Sequence, residues 1–109
     1  MRIVLASLLL ATQLVPARAT SWEDPLDPIV IATEAVASKQ KPVLRVLHEN
    51  GPGSWQLYDG GPLRGKPVVL PKAIALELDP SLKGLIDLPV GWEATRKAPS
   101  DAWSRRKAK

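Results

Sequence analysis

"VVLPKAIALELDPSLKGLIDLPVGWEATR", from Val68 to Arg96, carries both secondary-structure periods in one stretch. Val68–Leu70 is a short extended run. Pro71 suits the first turn of a helix, where its missing N–H leaves no bond unmade. Leu70, Ile74 and Leu78 recur at i, i+4 and i+8, which puts them on one helical stripe. Asp79-Pro80 then breaks the helix and restarts it. Asp79 is a good N-cap, and Pro80 fits the position after it. Leu82, Leu85 and Ile86 continue an apolar face, and Asp87 to Pro89 ends the segment. "GWEATR", Gly91–Arg96, alternates as a strand, with Trp92 and Ala94 on one face and Glu93 and Thr95 on the other. A broken helix set between strands predicts an α+β domain.

Upstream, the pattern is that of strands. "IVIA" (Ile29–Ala32) is β-branched and continuous, as a buried strand is. Pro42–Glu49, "PVLRVLHE", is a second strand. Neither of its faces is cleanly apolar, which predicts a central or half-covered position. "NGPG" (Asn50–Gly53) is a turn signal, and Ser54–Asp59, "SWQLYD", is a third strand with Trp55 and Leu57 facing one way and Gln56 and Tyr58 the other. The second and third strands therefore read as a hairpin. The expected architecture is a small, mostly antiparallel sheet of four to five strands with one broken helix packed on a face.

The ends read differently from the middle. Arg2, the apolar run Ile3–Leu10, Pro16 and the small residues of Ala17–Ala19 have the order of a secretory signal peptide cut after Ala19. The run is too short for a spanning helix. The chain is expected to divide into a leader at 1–19, an extended lead-in at 20–28 ("TSWEDPLDP" from Thr20), a single domain at 29–103 and a basic tail at 104–109. That division implies a periplasmic or secreted protein with no stable membrane anchor once the leader is cut. Loss of Arg2 and Arg18 takes the formal net charge from +4 to +2. The basic excess lies at the end, in Arg96, Lys97, Arg105, Arg106, Lys107 and Lys109. It reads as a solvated terminus rather than a nucleic-acid contact, because an exported chain meets little nucleic acid.

Nothing in the residue inventory assembles a catalytic centre. The chain has no cysteine, which excludes a thiol nucleophile, a lipid anchor at the cut and any Cys-based metal site. Its single histidine, His48, reads as structural: a base needs a nucleophile or substrate proton in reach and a group to orient it. Ser54 and Asp59 are near in sequence, but no nucleophile-elbow pattern surrounds the serine. The glycine-rich stretches "GPGSW" and "DGGPLRGKP" match neither phosphate-binding pattern and read as turns. No catalytic, cofactor or metal residue is assigned. With four Trp, one Tyr and no Phe, Trp55 and Trp92 are expected to be core or half-core, and Trp103 is expected to fold back as a lid.

Taken in order, "GSWQLYDGG", "LDPSLKGLIDLPVGWEATR" and "APSDAW" resemble a bacterial polymorphic-toxin immunity family, the thirty-third catalogued and formerly a domain of unknown function. The resemblance runs from Ile29 to about Trp103, through Trp55, Gly60, Asp79-Pro80, Leu85, Asp87, Pro89, Gly91 and Arg96. Two stretches depart from the family: Gly53-Ser54 stands in swapped order, and the acidic loop after the third strand is replaced by a shorter basic one. The resemblance implies a binder that neutralises a bacterial toxin by occlusion, not an enzyme, with a protein partner and no nucleic acid. Residue type and expected exposure nominate Tyr58, Arg64, Trp103, Arg105 and Arg106 as partner contacts. The alternative is a periplasmic small-molecule or glycan-binding module with Trp55, Tyr58 and Trp103 lining one groove.

Overall fold

The computed structural model describes residues 21–50, 53–62 and 65–108. The expected leader and Arg64 lie outside them. In chain order the elements are β1 (Ile29–Ala32), α1 (Glu34–Ala37), β2 (Arg45–His48), β3 (Trp55–Tyr58), β4 (Val68–Pro71), α2 (Lys72–Leu78), a 3-10 helix (Pro80–Leu85), β5 (Trp92–Thr95) and β6 (Ser104–Lys107). The six strands form one open sheet in the order β4-β1-β3-β2-β5-β6. The α+β class is as expected, with a strand more than the four to five anticipated. The sheet is also mixed. β1 runs parallel to β3, while the other four pairings are antiparallel.

Cross-strand register sorts the side chains onto two faces, because successive residues of a strand point oppositely. Val30 and Ala32 of β1, Trp55 and Leu57 of β3, Val46 of β2 and Ala94 of β5 share one face, and all are buried. The helices cover that face with Val36, Ala75, Leu82 and Leu85, and Leu88 joins them. In the 3-10 helix side chains three apart eclipse one another. That is why Leu82 and Leu85 both point inward; Leu88, past the helix end, is carried to the same side by its N–H bond to the Leu85 carbonyl at 2.9 Å, while Ile86 remains 39% exposed.

The helix differs from its expected phase. Leu70 belongs to β4, and Pro71 ends that strand and caps the helix, so α2 begins only at Lys72. Its inward face is Lys72, Ala75 and Leu76, and Ile74 turns outward at 39% exposure. The break is where it was expected: Asp79 accepts the Ser81 N–H at 3.0 Å, with Pro80 opening the next turn.

Both presumed extensions belong to the domain. Trp22, in the lead-in, is buried and meets Trp55 edge-on at 5.0 Å between ring centroids. Asp27, 2% exposed, accepts from Ser54 Oγ at 2.7 Å and from the Gly53 N–H at 3.1 Å, and faces Lys72 Nζ at 4.0 Å. Burial alone would push the Asp27 carboxyl up. The Ser54 and Gly53 bonds and the Lys72 charge outweigh it, and the group sits below the usual aspartate range. Burial in turn pulls the Lys72 ammonium below the usual lysine range. Gly53 has φ +67°, and a Cβ there would sit 2.7 Å from Ile31 Cδ1, so a glycine is favoured where the turn meets β1. At the other end, the expected basic tail is β6, registered on β5 from Trp92↔Lys107 to Thr95↔Ser104. A run of Ser-Arg-Arg-Lys has no apolar alternation to betray a strand. It pairs because the open edge of β5 supplies backbone partners.

Candidate functional site

The face of the sheet turned away from the helices carries a row of side chains that crosses all six strands. It runs Val69, Ile31, Gln56, Leu47, Glu93, Arg106. One end is aliphatic, with Val69 58% exposed, and the other is charged. Leu47 is buried but lies apart from the core cluster, as its place on this second face requires. Beside the row stand Tyr58 and Arg45, directly opposite each other on β3 and β2.

Glu93 organises the charged half. Only 5% exposed, it accepts from Arg45 Nε through Oε1 and from Arg106 Nε through Oε2, each at 2.7 Å. The Arg45 hydrogen bond holds the Glu93 carboxyl below the usual glutamate range against its desolvation, with Arg106 adding to the effect. Arg45 also lies over the Tyr58 ring, 5.2 Å from its centroid. The Tyr58 hydroxyl donates to Gln56, and Gln56 Nε2 donates to Glu49 Oε1 at 2.7 Å. Partial burial pushes the Tyr58 hydroxyl up, so it remains a neutral donor at ordinary pH. The result is two hydrogen-bonded segments, Glu49–Gln56–Tyr58 and Arg45–Glu93–Arg106, joined where Arg45 lies over the Tyr58 ring, and together they fix two guanidiniums and a phenol on this face. Next to it, Ile31, Thr33, Gln56, Tyr58, Gly65, Lys66 and Pro67 line a cleft of about 310 Å³.

Tyr58 and Arg106 therefore come together through Arg45 and Glu93, two residues missed in the sequence. The missing signal was cross-strand register: alternation within each strand assigns faces, but only pairing shows that Arg45, Glu93 and Arg106 are neighbours. Trp103 and Arg105 lie on the helix side. Trp103 folds back over Arg96, whose guanidinium is 4.1 Å from the ring centroid, and its Nε1 donates to Ser81 Oγ at 3.1 Å. Arg96 is itself a hub. It donates from Nε and Nη2 to the Val43 carbonyl, from Nη1 to Ser81 Oγ and the Pro99 carbonyl, and from Nη2 to Asp79. Arg105 donates to Asp87 at 2.6 Å and to the Gly84 carbonyl at 2.7 Å.

The three aromatics expected to share a groove do not. Trp55 is enclosed in the core, Tyr58 is on the opposite face, and Trp103 is on the β5–β6 connection. Trp92 is half-buried and packs against the core cluster, the lesser of the two places expected for it. His48 is enclosed, its Nδ1–H donating to the Leu88 carbonyl at 2.6 Å and its ring stacked on Trp55 at 3.9 Å. Asp59 accepts the Gly61 N–H at the far end of the hairpin, while Ser54 donates to Asp27. Among the described residues no group of three or more His, Asp or Glu side chains could hold a metal, and no helix is long and apolar enough to cross a membrane. In comparisons with known proteins, no family model, curated protein or solved structure matches this chain.

Proposed function

We propose that this chain is an exported protein-binding domain that neutralises a toxin effector by covering it, with the open face of the sheet as the contact surface. The observation that carries the reading is the ordered row on that face, aliphatic at one end and charged at the other, with two arginines fixed by Glu93 and Tyr58 held beside it by Gln56 and Arg45. Tyr and Arg are the side chains that most often anchor interfaces. Holding them before the partner arrives removes part of the ordering cost, about 0.5–1.5 kcal/mol for each long side chain. The toxin class and the export rest on the family resemblance and on the leader-like N-terminus.

The test is co-expression with neighbouring toxin-like genes delivered to the periplasm. The wild-type chain is expected to protect, and a Tyr58→Ala/Arg45→Ala variant with unchanged thermal stability is expected to lose protection. Failure of the wild-type chain to protect against, or form a complex with, any of them would overturn the reading.

A second reading, a periplasmic small-molecule or glycan-binding module, is supported by the cleft beside Tyr58. Titration with oligosaccharides would then shift the amide resonances of Ile31, Gln56 and Tyr58. Unmoved resonances at saturating sugar would dispose of it.

A further inference from the structure

The two edges of the sheet are protected differently. β4 is preceded by Pro67 and ends at Pro71, and proline has no N–H to offer an incoming strand. β6 contains no proline, and all four of its residues are exposed. Its ladder phase follows from one bond: the Ala108 N–H donates to the Gly91 carbonyl at 2.8 Å, on the β5–β6 register. In an antiparallel pair, inward and outward backbone groups alternate. Ser104 and Arg106 therefore share the inward phase of Ala108. The N–H and C=O groups of Arg105 and Lys107 point away from the sheet, as an unpaired template.

The side chains on this edge are cationic on both faces. Arg106 stands on the open face, tied to Glu93, while Arg105 and Lys107 stand on the helix face. Arg105 is held by Asp87, and Lys107 makes no ion pair among the described residues. We propose that the outer edge of β6 is a strand-addition site for an extended acidic segment of a protein partner; this deepens the protein-binding reading above and rests on it. Main-chain bonds to Arg105 and Lys107 would supply the affinity, and carboxylates at alternate positions would meet the cations on either face. A second copy of this chain fits poorly, because edge-to-edge pairing would set Arg and Lys against Arg and Lys. Single-stranded nucleic acid could use the charges but not the outward N–H and C=O row.

The probe is a blocked synthetic peptide of alternating glutamate and threonine, titrated into the purified chain and read by amide resonances and hydrogen exchange. Binding should slow exchange at the Arg105 and Lys107 amides, and a lysine-for-glutamate version of the peptide should not bind. Lys107→Pro removes an outward N–H together with the Lys107 cation and leaves the β5 ladder intact, so probe affinity should fall about tenfold, the combined effect of one lost backbone bond and one lost charge contact. Lys107→Glu keeps the N–H and should weaken the acidic probe while admitting the lysine probe, which keeps the question decidable should the proline disturb β6. Failure of the glutamate probe to bind, its unchanged affinity for a Lys107→Pro chain that retains β6, or equal binding of both probes would overturn the proposal. So would tighter binding of a single-stranded oligonucleotide at the same amides. Toxin protection that survives Lys107→Pro would overturn the edge site while sparing the protein-binding reading; an edge that binds the probe in a chain that protects against nothing would do the reverse.

Discussion

The same short strands build two unlike surfaces. Toward the helices, β1, β2, β3 and β5 present Val30, Ala32, Val46, Trp55, Leu57 and Ala94, enclosed to a few per cent exposure or less. Away from the helices they present Ile31, Arg45, Gln56, Tyr58, Glu93 and Thr95. The first surface holds by excluding water. The second holds by pairing Arg45, Gln56, Tyr58 and Glu93 with polar neighbours, so that even its most enclosed charge, Glu93, has an arginine on each oxygen. The contrast separates what maintains the fold from what is left for a partner to meet.

The largest test of that separation is on the helix side. Trp55→Ala should cost about 3–5 kcal/mol, because it empties a fully enclosed volume between Trp22 and His48. Trp92→Ala, at a half-buried position, should cost clearly less. Urea denaturation of both variants checks this, and equal losses would mean that the two indoles share one environment. Next in size is the pin between the lead-in and the hairpin. Asp27→Ala should lose about 2–3 kcal/mol, since it leaves Lys72 buried and the Gly53 and Ser54 donors without their acceptor.

The pin and the ladder also predict a pH response. Asp27 and Glu93 both have folded-state pKa values below their unfolded ones. Their stabilisation is therefore complete above the unfolded values, about 4, and is lost as pH falls through them toward the lower folded values. Urea midpoints should drop below about pH 5, and the drop should be shallower in an Asp27→Asn/Glu93→Gln chain. A wild-type slope in that double variant would place the acid sensitivity elsewhere. The smallest effect is expected at the rim. Arg106→Ala should change stability by no more than about 0.5 kcal/mol, as the arginine is exposed and Glu93 keeps its Arg45 partner. A loss several times larger would show that the open face also carries the fold.

How far the sequence could be read follows the same division. Local periodicity located β1, β3, β5 and the helix break at Asp79, because in each the pattern is set by residues within a turn or two. Non-local pairing left no such mark. Nothing in "IVIA" says that its neighbours are β3 and β4, and nothing in "SRRK" says strand at all, since its partner rather than its own side chains makes it one. The prolines of the lead-in suggest an extended segment, whereas Ser21–Asp24 and Asp24–Asp27 close as turns, and Asp27 is understood only beside Ser54 and Lys72. At the candidate surface, Tyr58 and Arg106 could be nominated by type. Arg45 and Glu93, which join them, required the register. Trp103 and Arg105 were nominated on the same grounds, and the fold placed them on the other side.

The parallel pairing of β1 with β3 has a consequence for the order in which the chain can assemble. β3 lies between β1 and β2, so β1 cannot find its neighbour until the chain has passed through β2 and returned. The β2–β3 hairpin closes over a short loop and incurs little closure entropy, whereas β1–β3 must close across the whole intervening hairpin. The hairpin is thus the natural seed, β1 and β5 add to its two sides, and β4 and β6 arrive last on the outside. A ribosome delivering this chain would release β6 after every other strand, so the strand that completes the sheet is also the one whose vacancy persists longest during synthesis.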